Sequence, residues 1–125
     1  MRKKQIAVLG STGSIGTQAL NIINEFVDDF EVKLISANSS SELLLNQAIS
    51  FKPSHVVVNT NEGYNYIKNN LKQPETKIHL GEKVLCELVD SEEFDLVLVA
   101  IVGFAALLPT ISAIKSGKKI ALANK

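Results

Sequence analysis

A short run of core-type residues, Ile6-Ala-Val-Leu9, passes straight into Gly10-Ser-Thr-Gly13-Ser-Ile-Gly16 and from there into an amphipathic segment. No other stretch constrains the fold so tightly. Three glycines at intervals of three, set between a strand and a helix, describe a turn in which backbone must approach something closely. On the helical side Ile15, Ala19, Ile22, Ile23 and Phe26 fall at i, i+4, i+7, i+8 and i+11 and draw one apolar stripe. A second core-type run, Val32 to Ile35, comes next, so this region predicts a βαβ unit.

The alternation continues along the chain. Strand-like runs at Val56 to Val58, Lys77 to Leu80, Leu96 to Ala100 and Lys119 to Leu122 are separated by helical patterns. The second helix opens at Ser40 or Ser41 with Glu42 behind, carries Leu44, Ala48 and Phe51 on one face, and stops before Pro53. Later helices are expected over Glu62 to Leu71, Glu82 to Val89 and Pro109 to Ser116, the last with proline in its first turn and Gly117 just past its end. Strands joined by crossover helices pair in parallel, and parallel sheets are covered on both sides. The predicted fold is therefore α/β: a Rossmann-type, doubly wound, mostly parallel sheet with helices on both faces and strands buried on both sides.

With 125 residues and 46% apolar content, the chain has enough material for one domain, residues 1–125. A chain of that size removes roughly two-thirds of its unfolded surface from water. Thirteen basic residues balance thirteen acidic ones, and cations gather only at Arg2 to Lys4 and at Lys115, Lys118 and Lys119. That argues against a charge-driven grip on nucleic acid. The longest apolar stretch, Leu96 to Leu108, is broken by Gly103 and is shorter than the ~18 residues of a membrane span. The apolar run behind the basic N-terminus, Ile6 to Leu9, falls short of the about 7–15 residues of a signal peptide. Cys86 stands alone within an apolar helical pattern (Val84, Leu85, Leu88, Val89), which predicts a buried, inert thiol in a reducing compartment. The expectation is a soluble, cytoplasmic protein with no nucleic-acid or membrane partner.

The glycine loop points to chemistry. A side chain at the central Gly13 would block close approach of a pyrophosphate, the following helix start offers unpaired N–H groups, and Thr12 and Ser14 add hydroxyl donors. The spacing G-x-x-G-x-x-G differs from the commonest dinucleotide fingerprint, so a tight structural turn remains an alternative. In this fold an Asp or Glu at the end of the second strand binds the ribose 2′-hydroxyl and would repel a 2′-phosphate. Here that tip reads Ser36-Ala-Asn38-Ser39-Ser40-Ser41 with no acid before Glu42, which suits NADP, although the same residues are ordinary helix caps and loop formers. The fifth strand ends in Ala100-Ile-Val-Gly103, small and apolar where a nicotinamide would lie flat, or simply core residues with a turn glycine. His55 and His79 are far apart in sequence and isolated, and are not expected to ligate metal.

Three stretches, Ile6-Ala-Val-Leu-Gly-Ser-Thr-Gly-Ser-Ile-Gly16, Ala100-Ile-Val-Gly-Phe-Ala-Ala-Leu-Leu-Pro-Thr110 and Ile120-Ala-Leu-Ala-Asn-Lys125, resemble in order and spacing the N-terminal signatures of the 1-deoxy-D-xylulose 5-phosphate reductoisomerase family. The resemblance covers essentially the whole chain. It implies an NADPH-dependent oxidoreductase of isoprenoid precursor biosynthesis by the non-mevalonate route, with a divalent metal (magnesium or manganese), a sugar phosphate substrate and a homodimeric state. Carried over by position, it implies that Thr12, Gly13, Ser14 and Ile15 hold the cofactor phosphates, that Asn124 meets the nicotinamide side, and that Lys125 reaches the substrate. Asn38, Ser39 and Ser40 stand at the 2′-phosphate position, where many family members carry Gly-Lys-Asn, and Ala100 stands beside the nicotinamide.

The chain ends just after a strand with no helix behind it, which predicts the N-terminal part of a longer enzyme. In the family the metal ligands lie beyond the position of Lys125, so no metal or catalytic residue is expected here, and this part is expected to bind nucleotide without turning over substrate. For the intact enzyme the resemblance implies a metal-assisted rearrangement of the sugar phosphate to an aldehyde, then hydride transfer from NADPH. Two other readings compete: another NADP-dependent enzyme such as a semialdehyde dehydrogenase, against which Leu107-Leu-Pro109 and the Ala-Asn-Lys ending speak, and a non-catalytic nucleotide-sensing module complete at this length.

Overall fold

The computed structural model describes residues 2–101 and 103–122. Along the chain these form β1 (Lys4–Leu9), α1 (Ser14–Glu25), β2 (Phe30–Ala37), α2 (Ser41–Phe51), β3 (His55–Val58), α3 (Asn61–Asn70), β4 (Lys77–Leu80), α4 (Glu82–Ser91), β5 (Leu96–Val99), a 3-10 turn (Gly103–Ala106), α5 (Leu107–Lys115) and β6 (Ile120–Leu122). The strands lie in the order β4-β3-β2-β1-β5-β6, and every neighbouring pair is parallel. From β1 the chain steps outward to β4, and α4 then carries it back across the sheet to β5 on the other side of β1. The fold is the doubly wound α/β arrangement read from the sequence.

Alternation along β1 divides the core into two layers. Ile6 and Val8 pack with Leu20 and Ile23 of α1, Leu44 and Ala48 of α2 and Ile67 of α3, whereas Ala7 and Leu9 pack with Leu85 and Val89 of α4 and Ala113 of α5. Lys33 is an extra residue in β2: Ile6 pairs with Val32 but Ala7 with Leu34. This bulge flips the alternation, so that Val32 joins Ile35 and Ala37 on the α1 side.

Several expectations need correction. The strands are not all buried on both sides: β4 and β6, at the two ends of the sheet among the described residues, carry no fully buried residue. In α1 the buried stripe is Gly16, Leu20 and Ile23, while Ile22 and Phe26 stay about half exposed. Hydropathy gives Gly16 no weight, yet its missing side chain is what lets the helix settle on the glycine loop. Cys86 is partly rather than fully buried. In α2, Ser40 takes the cap position without a side-chain cap bond, Phe51 is only partly buried, and an unforeseen polar residue, Gln47, lies in the interior.

Candidate nucleotide-binding site

β1 and β5 are neighbours, yet the helices that follow them pack on opposite faces, which opens a crevice at their carboxyl ends. The glycine loop sits in that crevice. Gly10 has φ 82°, and a Cβ there would meet the Ala100 carbonyl group at 2.9 Å, so only glycine fits. Its N–H donates to the Ser36 carbonyl and to Ser36 Oγ, both at 3.1 Å, and the Ser11 N–H donates to the same carbonyl at 2.8 Å. A Cβ on Gly16 would overlap the Gly10 carbonyl oxygen and lie 2.7 Å from Ser11 Cα. Gly13 is different. Its φ is −76°, and the nearest atom to an added Cβ would be the Gly10 oxygen at an ordinary 3.7 Å.

Gly13 is the N-cap of α1, and the first helical bond runs from the Thr17 N–H to the Gly13 carbonyl at 2.8 Å. The N–H groups of Ser14, Ile15 and Gly16 precede that bond, no side chain caps them, and the first turn holds no acid. Nothing in the first turn of α1 or its cap therefore compensates the positive end of the helix dipole, an arrangement suited to an anion.

A cavity of about 310 Å³ opens beside this helix end. Thr12, Gly13, Ser14 and Ile15 line one part of it, Asn38 and Asn59 another, Ala100 and Ile101 the β5 side, and Glu82 and Leu85 of α4 a wall. Six residues singled out from the sequence thus come together: Thr12, Gly13, Ser14, Ile15, Asn38 and Ala100. Ser39 and Ser40 are exposed at the β2 tip outside the lining, their carbonyls accepting from the N–H groups of Ser41 and Leu44. Asn124 and Lys125 lie outside the described residues. Asn59 and Glu82 were not foreseen. The rule that carboxyl ends of neighbouring parallel strands share one edge would have found them, since they follow β3 and β4 closely.

A family model described as 1-deoxy-D-xylulose 5-phosphate reductoisomerase matches residues 6–125. The chain belongs to this family. A reductoisomerase from Bacteroides fragilis is 49% identical over 125 residues, covering 100% of this chain and 32% of the relative. The solved structure of the Zymomonas mobilis reductoisomerase in complex with NADPH superposes with a TM-score of 0.91 at 32% identity, over 98% of this chain and 32% of that one. A DOX-P reductoisomerase in complex with NADPH, fosmidomycin and magnesium gives 0.90 at 32% identity, over 97% of this chain and 30% of that one. The chain thus spans about a third of the length of the reductoisomerases it matches. These matches do not favour the semialdehyde dehydrogenase or sensing-module readings.

Away from the crevice, this reductoisomerase-family chain corrects the reading of its histidines. Pairing of β3 with β4 sets Val57 beside His79, and His55, two residues earlier on the same face, becomes its diagonal neighbour. His55 Nδ1 lies 3.1 Å from His79 Nε2, and His55 Nε2 lies 3.0 Å from Glu92 Oε1 at the end of α4. The carboxylate can only accept, so His55 Nε2–H donates to it, and the facing nitrogens His55 Nδ1 and His79 Nε2 share the remaining hydrogen bond. Burial, then the neighbouring His55 and Lys77, hold the His79 pKa below its ordinary value against a smaller opposing pull from Glu92. Among the described residues no group of three or more His, Cys, Asp and Glu is arranged to hold a metal ion, and the cluster ties β3, β4 and α4 together. Burial pushes the Cys86 thiol pKa up, opposed in part by a hydrogen bond with Ser112, so it is not a poised nucleophile. No helix among the described residues is long and apolar enough to cross a membrane.

Proposed function

We propose that residues 1–125 form the NADPH-binding part of a 1-deoxy-D-xylulose 5-phosphate reductoisomerase, the enzyme that rearranges and reduces 1-deoxy-D-xylulose 5-phosphate to 2-C-methyl-D-erythritol 4-phosphate. The observation that carries this reading is Gly13. Of the loop's three glycines it alone has room for a Cβ at an ordinary backbone conformation, and it stands at an uncapped helix start on the cavity wall. A glycine with room for a side chain is explained by a ligand whose phosphates need that room.

The N–H groups of Ser14 and Ile15, with the Thr12 and Ser14 hydroxyls, hold the pyrophosphate. Asn38 borders the adenosine ribose, while the exposed Ser39 and Ser40 receive the 2′-phosphate at a tip free of acidic residues. Ala100, small and at the end of β5, leaves space for the nicotinamide, and Asn124 and Lys125 extend the site toward nicotinamide and substrate. When bound, NADPH supplies the hydride; this chain's residues fix where that hydride is presented. The magnesium or manganese, its ligands and the residues that act on the sugar phosphate belong to the remainder of a cytoplasmic, homodimeric enzyme.

Activity is tested on the full-length protein. With 1-deoxy-D-xylulose 5-phosphate and magnesium present, NADPH oxidation should proceed and should stop when either is omitted. NADPH oxidation without the sugar phosphate, or none with it, contradicts the assignment.

A further inference from the structure

Gln47 is a polar side chain in an apolar stripe, between Leu44 and Ala48 on the face of α2 that packs on the sheet, and only 7% of it is exposed. A buried amide persists where its hydrogen bonds are made. Both are made to one residue: Ser11 Oγ donates to Gln47 Oε1 at 2.7 Å, and Gln47 Nε2 donates to the Ser11 carbonyl at 2.9 Å. Ser11 is fully buried, and its N–H is taken by the Ser36 carbonyl. Every polar group of Ser11 is thus held by protein, and the residue stands between Gly10 and Thr12, which line the cavity, without itself lining it.

We propose that Gln47 is a positioning residue for the phosphate loop. Resting on the NADPH reading above, it fixes the peptide before Thr12 so that the loop and the N–H groups of Ser14 and Ile15 face the pyrophosphate without rearrangement. Helix α2 serves both ends of the nucleotide, since its first turn continues from Asn38 to Ser40 at the β2 tip and its second turn clamps the loop. Preorganised donors bind more tightly because no ordering cost falls on the ligand. Gln47 touches no ligand atom. Its effect should therefore fall on the pyrophosphate and spare ligands held by the tip alone.

The test compares two ligands on the full-length protein by titration calorimetry, well below its melting temperature: NADPH, and adenosine 2′-monophosphate, which keeps the 2′-phosphate and has no phosphate at the 5′ position. Gln47→Met, of similar size but without the amide, should weaken NADPH at least tenfold and change adenosine 2′-monophosphate less than twofold. Unchanged NADPH affinity, or a parallel loss of both ligands, overturns the proposal. Should Gln47→Met not fold, Ser11→Ala decides: it removes one of the two bonds and leaves the other, and should cost NADPH roughly threefold with the monophosphate unaffected, unchanged NADPH affinity again overturning it. The parent protein is the control for the reading beneath. If the parent does not bind NADPH, the proposed function fails whatever the variants do.

Discussion

His79 Nε2 lies 3.1 Å from His55 Nδ1, and His55 in turn reaches Glu92 at 3.0 Å, so that a hydrogen-bonded chain of three residues joins two strands to the end of α4. The consequence is a pH dependence of stability. With the His79 pKa lowered in the folded state, the unfolded chain takes up a proton that the folded chain resists. Stability should be level above pH ~6.5, the unfolded value, and fall as pH drops from there toward the lowered folded value. Lys77 beside the ring strengthens the trend and Glu92 opposes it. Urea midpoints at pH 7.5, 6.5 and 5.5 should decline in the parent and stay level in His79→Gln. An equal decline in both would remove His79 as the cause.

Gly13 and Gly16 should respond in opposite ways to the same substitution. Gly13→Ala places its methyl in ordinary contact with the Gly10 carbonyl oxygen and exchanges a good N-cap residue for a poorer one, a stability loss of about 0.5–1 kcal/mol. Its NADPH affinity should drop at least tenfold, and Gly13→Val should bind none. Gly16→Ala drives a methyl into the Gly10 carbonyl and should destabilise by about 1–3 kcal/mol. Denaturation and NADPH titration of both variants check this; a Gly13→Val protein that binds NADPH as the parent does would contradict the phosphate-cradle assignment.

The β2 tip is free of acid and of cations, and so a charge placed there acts without a competing side chain. Ser39→Lys should tighten NADPH by about 1 kcal/mol, roughly fivefold, through a charge-assisted bond to the 2′-phosphate, and leave NADH unchanged. Ser39→Asp should weaken NADPH selectively. Dissociation constants of both cofactors for the two variants give the answer, and a change shared equally by NADPH and NADH would move the 2′-phosphate away from Ser39.

What the sequence shows is what local chemistry encodes. The strand and helix alternation, the loop between Gly10 and Gly16 and the acid-free tip are legible because periodicity, turn residues and charge act over a few positions. Gln47 is not, because its role depends on which elements the sheet order sets side by side. The histidines show the same limit: 24 residues apart, they meet only through the β3–β4 register. Gly16 escaped the reading of α1 for another reason, since a residue that matters by lacking a side chain leaves no mark in an apolar stripe.

The central claim, that this chain is built around NADPH, is tested most directly by its thermal midpoint with NADPH, with NADH and with neither. At about 100 times its dissociation constant a ligand adds ~2.7 kcal/mol, a rise of roughly 10 °C for a domain of this size. A rise of that order with NADPH and a much smaller one with NADH is the predicted result. No rise with either cofactor at millimolar concentration would contradict the account.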